Sequence, residues 1–149
     1  MKYSAGKSKI RRECAVGKNP KQFAKTRTSG VTGEQLWAIA EAQNFTCPLS
    51  GVRFKVDRDA GEIYDPTNVD KRTGKPKRVS IDHDHKTKLV RGLLIQKVNW
   101  LIDQWEQESY GKLSMPEEII IYKMNPPAKM VCQARGWDPI KYKEAKRTK

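Results

Sequence analysis

The sequence predicts an α+β fold centred on a β-hairpin capped by a helix. Two observations carry this. Within residues 79–108 the apolar period switches from 2 to 3.6. Val79 and Ile81 alternate into Asp82-His83-Asp84-His85, Lys86-Thr87-Lys88 makes a turn, and Leu89–Ile95 returns as a second strand. From Gln96, the residues Val98, Leu101, Ile102 and Trp105 then fall at helical spacing to about Glu108. The flanks also carry helix signals. Thr32-Gly33-Glu34-Gln35 and Ser114-Met115-Pro116-Glu117 both read as capping boxes.

The first box opens a helix over about 33–43 that stops near Asn44, with Leu36, Ile39 and Ala40 on its apolar face. Cys47–Gly51 reads as a turn, Val52–Val56 as a strand, and Ile63-Tyr64 as a short return strand. Asp65–Lys77 is polar and rich in turn formers, so a loop is expected there. The second box opens a helix near 116–124, which Asn125-Pro126-Pro127 ends.

Of the 149 residues, 30 are Lys or Arg and 17 are Asp or Glu, a formal charge of +13 that favours a polyanionic partner, nucleic acid first. Residues 1–30 hold +8 and residues 138–149 hold +3, whereas 79–110 hold −1. The expected organisation is therefore a basic arm at 1–30, a folded domain at 31–127 and a basic tail at 128–149. No apolar run is long enough to span a bilayer, and residues 1–7 lead into no secretory signal, so no membrane association is expected. Three widely spaced cysteines, Cys14, Cys47 and Cys132, fit a reducing cytoplasm better than a disulfide framework.

Both histidines of the chain lie in Asp82-His83-Asp84-His85. Histidine takes a proton near neutral pH, and carboxylates are hard ligands for Mg²⁺. Together, on a chain expected to bind phosphodiesters, they point to metal-assisted hydrolysis. A solvated turn and a transition-metal site in a binding protein are the competing readings of the tetrapeptide alone.

The run Val79–Leu94, followed by Asn99, resembles the phage recombination endonuclease VII family of His-Me finger (HNH, ββα-metal) nucleases. The close match covers 79–99, with looser similarity at 35–49 and at Asn125–Ala128. The resemblance implies a ββα-metal core at 79–108 and a metal-dependent DNA endonuclease. Asp82 and Asn99 would hold one Mg²⁺ or Mn²⁺, His83 would be the general base, and His85 would contact the scissile phosphate. Cleavage would leave 5′-phosphate and 3′-hydroxyl ends. Members of this kind are branched-DNA resolvases, which need two active sites and hence a homodimer, or homing and nicking enzymes. The host cytoplasm of an infected bacterium is the implied location.

The sequence departs from the family at its structural zinc. The two Cys-x-x-Cys positions read Cys47-Pro48-Leu49-Ser50 and Ile95-Gln96-Lys97-Val98, which leaves one ligand of four. No zinc is expected, and Ile95 and Val98 are expected to pack on Cys47 and Leu49 instead. A long insertion lies between Gly51 and Val79. DNA contacts are expected from Arg91, from Lys71, Arg72, Lys75, Lys77 and Arg78 in that insertion, and from Lys7, Lys9, Arg11 and Arg12 in the arm. The alternative function is a non-catalytic nucleic-acid-binding protein on a nuclease scaffold.

Overall fold

The computed structural model describes residues 20–107 and 116–144. Lys7, Lys9, Arg11, Arg12 and the expected N-cap Ser114 lie outside the described residues. The elements run α1 (Gly33–Ala42), β1 (Lys55–Asp57), β2 (Glu62–Val69), β3 (Pro76–Arg78), β4 (Ser80–His83), β5 (Val90–Leu94), α2 (Gln96–Glu106), α3 (Glu117–Met124) and α4 (Pro127–Arg135). This is a mixed fold of helices with two small antiparallel sheets, a β1–β2–β3 meander and a β4–β5 hairpin.

The first capping box forms in full. The Thr32 hydroxyl accepts from the Gln35 N–H at 3.1 Å, and the Gln35 side chain accepts from the Thr32 N–H at 2.9 Å. Helix α1 ends where Asn44 and Phe45 take left-handed backbone angles of φ 58° and 54°, and it buries Leu36, Trp37, Ile39 and Ala40. Helix α3 starts differently from expectation: Pro116 is its N-cap, and no side chain caps it.

The insertion is the main correction in the fold. Asp65–Lys77 is a continuous hairpin, with β2 running through Val69 before a turn brings β3 back. Its irregular register between Asp65 and Val69 hides the strand from a period-2 reading. Asp65 explains why a polar residue sits in the strand. It is fully buried, accepts from both the N–H and the hydroxyl of Thr67, and accepts from the Gln96 N–H at 2.7 Å. Gln96 opens α2, whose N-cap Ile95 supplies no side-chain cap, so a carboxylate from another element serves that helix N-terminus.

Trp37, Leu36, Ile39, Ile63, Leu93, Leu94 and Ile102 are fully buried at the centre, each contributing about 1.5–3 kcal/mol by leaving water. Cys47 and Ile95 belong to the same buried cluster, and Leu49 and Val98 pack against that cluster. In α2 only Ile102 is fully buried; Leu101, expected on the core face, is 44% exposed. Residues 128–144 of the segment read as a tail are part of the domain. Ala128, Val131, Cys132 and Ile140 are buried, and α4 packs on α1 and β5. The basic-arm boundary shifts likewise: the Arg27 guanidinium donates to the Val79 carbonyl at 3.0 Å, and the Lys21 N–H donates to the Arg58 carbonyl at 3.0 Å. No helix among the described residues is long and apolar enough to cross a membrane.

Candidate active site

The tetrapeptide Asp82–His85 lies at the turn end of the β4–β5 hairpin, and α2 packs across β4. Register shifts between Asp82 and His83, so the strand breaks its alternation at the point where the two side chains part. They enter different environments.

Asp82 turns inward and is 1% exposed. Its Oδ2 accepts from Arg91 Nε at 2.9 Å and from the Tyr122 hydroxyl at 2.9 Å, while its Oδ1 accepts from Arg91 Nη2 at 3.1 Å. Gly92, its cross-strand partner, allows this approach; a Cβ there would stand 2.9 Å from the Tyr122 hydroxyl oxygen. Burial pushes the Asp82 carboxyl above the ordinary carboxylate range, opposed by the guanidinium and the phenol. Arg91 extends the network through Nη1 to Glu106 at 2.9 Å, and Lys123 reaches the same carboxylate at 2.6 Å. Burial disfavours the charge on Arg91, but hydrogen bonds to Glu106 and the field of Asp82 outweigh that and raise its pKa. The DNA contact expected from Arg91 is not available to it. Its side chain is 5% exposed and every terminal nitrogen is engaged, so it offers nothing to a DNA phosphate.

His83 turns the other way. Its ring lies flat on Tyr142, with centroids 3.9 Å apart and planes at 6°, and is 4.8 Å from the His85 ring. Its Nε2 is buried with no hydrogen-bond partner, 3.5 Å from the Glu144 carboxylate. Burial, and then the neighbouring His85, pull the imidazole pKa below its ordinary value, which favours the neutral, proton-accepting form. His85 is half exposed and bonds through Nε2 to Asp103 at 3.1 Å. Asp84 is a turn former: its Oδ1 accepts from the N–H groups of Lys86 and Thr87, and the Thr87 bond leads in holding its carboxyl below the usual range.

Asn99 lies on the first turn of α2, half-buried, on one stripe with Asp103 and Glu106. The last turns of α2 reach the hairpin end through Asp103 and Glu106, and Asn99 stands about 10 Å of helical rise before Glu106. Asp82 and Asn99 do not fit a shared divalent ion in this arrangement, because the Asp82 carboxylate is closed over by Arg91 and Tyr122. The donors gathered within 4.8 Å of one another are instead His85, Asp103 and Glu106, and also His83, His85 and Glu144. The first set lines an open cleft of about 560 Å³ with Asp84, Lys86 and Lys123.

Sequence reasoning missed Tyr122, Lys123, Tyr142 and Glu144. They come from α3 and from the C-terminal segment beyond α4, and nothing in their local pattern marks them. The spacing of Asp103, four residues after Asn99, is the one signal that places it on the same helix face. The five cations of the insertion hairpin, Lys71, Arg72, Lys75, Lys77 and Arg78, are all exposed.

The chain is similar to two phage proteins. It is 34% identical over 108 residues to the Gene 59 protein of Mycobacterium phage D29 and 32% identical over 108 residues to the Gene 59 protein of Mycobacterium phage L5. The aligned part covers 72% of this chain and 52% of each relative, so the chain spans about half the length of the curated relatives it matches. No family profile and no solved structure matches.

Proposed function

We propose that this chain is a metal-dependent DNA endonuclease in which β4, β5 and α2 form the ββα core of a His-Me finger nuclease. The observation that carries the reading is the pair of histidines, the only two in the sequence, 4.8 Å apart at a hairpin end beside the carboxylates of α2. His83, held neutral by burial, takes the proton from the attacking water. His85, fixed by Asp103, and Lys123 at the cleft mouth face the phosphate. A Mg²⁺ or Mn²⁺ ion held by the carboxylates of Asp103 and Glu106 would supply Lewis-acid stabilisation of the leaving oxygen. Asp82, closed over by Arg91 and Tyr122, does not fit as its ligand. The substrate is duplex or branched DNA, and a resolving activity requires a homodimer.

The test is cleavage of a four-way junction, a matched linear duplex and a genomic library, with and without Mg²⁺ or Mn²⁺. We expect metal-dependent cutting that His83→Ala lowers about 10²–10⁴-fold, the contribution of a positioned base. Undiminished cutting by His83→Ala refutes the assignment. Junction-only cutting means a resolvase; one recurring linear site means a homing or nicking enzyme. One observation favours the non-catalytic alternative, the closure of Asp82 by Arg91. Binding to all three DNAs without cleavage in either metal would select it.

A further inference from the structure

The C-terminal segment beyond α4 straps the hairpin end. The Val90 N–H donates to the Ile140 carbonyl at 2.9 Å, the Tyr142 N–H to the Lys88 carbonyl at 2.7 Å, and the Lys143 N–H to the Ser29 carbonyl at 2.7 Å. Leu89 and Lys141 pair as an isolated bridge, and Ile140 anchors the strap in the core. Strand-like alternation then sends Tyr142 and Glu144 to the same side, where both meet His83. The tyrosine ring stacks on the imidazole at 3.9 Å. The Glu144 carboxylate stands 3.5 Å from Nε2 and is itself held by Lys88 Nζ at 2.8 Å. Asp82 and His85 are the remaining titratable groups beside that ring.

We propose that Tyr142 and Glu144 are positioning residues for His83. The stack fixes the plane of the ring. The field of the Glu144 carboxylate, 3.5 Å from Nε2, favours the tautomer with hydrogen on that nitrogen, which leaves the Nδ1 lone pair to accept a proton from water. The partner of one ring nitrogen sets which nitrogen carries the proton, and a carboxylate is one such partner. The inference rests on the reading of His83 as the base, and it assigns catalytic importance to a segment whose sequence reads only as a basic tail.

The experiment uses the full chain with Tyr142→Ala, Tyr142→Phe, Glu144→Gln and His83→Ala, compared in plasmid cleavage with Mg²⁺ or Mn²⁺ and in proton–nitrogen correlation spectra of the imidazole. In the unmodified chain we expect His83 in the Nε2–H tautomer, with its ring protons shifted upfield by the tyrosine. Tyr142→Ala abolishes that upfield shift, and Glu144→Gln mixes the tautomers. Each lowers kcat by about 10–100-fold, the cost of a base displaced by a fraction of an ångström, with KM for DNA unchanged. Tyr142→Phe keeps the stack and the rate. An unchanged kcat in Tyr142→Ala and Glu144→Gln, or an Nδ1–H tautomer in the unmodified chain, overturns the proposal. Full cleavage by His83→Ala overturns the base assignment itself, which the spectra distinguish because they report the strap without any turnover.

Discussion

Arg91 and Asp82 form a buried pair whose two partners depend on each other. Replacing Arg91 by Leu strands a carboxylate that is 1% exposed and retains only the Tyr122 hydroxyl. We expect a loss of about 3–5 kcal/mol in urea unfolding, the usual cost of removing one partner of a buried ion pair. The double variant Asp82→Asn with Arg91→Leu should recover much of it, because no unpaired charge remains. A single variant as stable as the unmodified chain would show that the pair carries no structural role. The same variant bears on the metal. Restoration of the unfolding midpoint by millimolar Mg²⁺ would mean that the vacated carboxylate accepts a divalent ion. At this scale the candidate site was half legible. The rarity of histidine identifies His83 and His85 without coordinates, but the partners of Asp82 lie 9 and 40 residues away, and sequence spacing says nothing about which carboxylate is closed over.

Helix α2 is aligned by an element that sequence reasoning assigned to a loop. Asp65, on β2, accepts from Gln96 at the start of α2, so the insertion hairpin and the helix that carries Asn99, Asp103 and Glu106 are tied by one carboxylate. Asp65→Ala removes that cap and both Thr67 bonds. It should cost about 1–3 kcal/mol in urea unfolding, because a buried donor is left unpaired. A cost below about 0.5 kcal/mol would mean that water replaces the carboxylate at the helix end. The strongly periodic elements, α1, β4, β5 and α2, were legible because amphipathic spacing and caps are local properties. The β2–β3 hairpin was not. An irregular register and a proline within β2 obscure its alternation, and its pairing is decided by contacts across the turn.

Across the whole molecule, chemistry and charge separate. Residues 79–110 carry −1, while the β2–β3 hairpin holds exposed cations and the sequence of residues 1–19 carries +5; on the proposed function these are the groups that would meet phosphate. Neutralising Lys71, Arg72, Lys75 and Lys77 together should weaken DNA binding and reduce the slope of log K against log salt by about one for each phosphate that is no longer neutralised. An unchanged slope, measured by fluorescence anisotropy between low and high salt, would assign the hairpin to solubility alone. Deleting residues 1–19 is the matching test of the arm, because residues from Lys21 onward bond to the domain. Deleting 128–149 is a different experiment. It removes Ala128, Val131, Cys132 and Ile140 from the core, and we expect the cooperative thermal transition to vanish.

Alone, the sequence determined the α+β class, the hairpin-then-helix order, the concentration of histidine at one turn and the basic balance that points to nucleic acid. Those properties are local or compositional, so a single chain displays them. Only the tertiary structure decided that Arg91 closes over Asp82, that Asp65 caps α2, and that a segment reading as a tail lays Tyr142 and Glu144 against His83. Each of those depends on which distant groups are brought into the same desolvated space, where a carboxylate must find a cation or a donor, and residue spacing does not encode that choice.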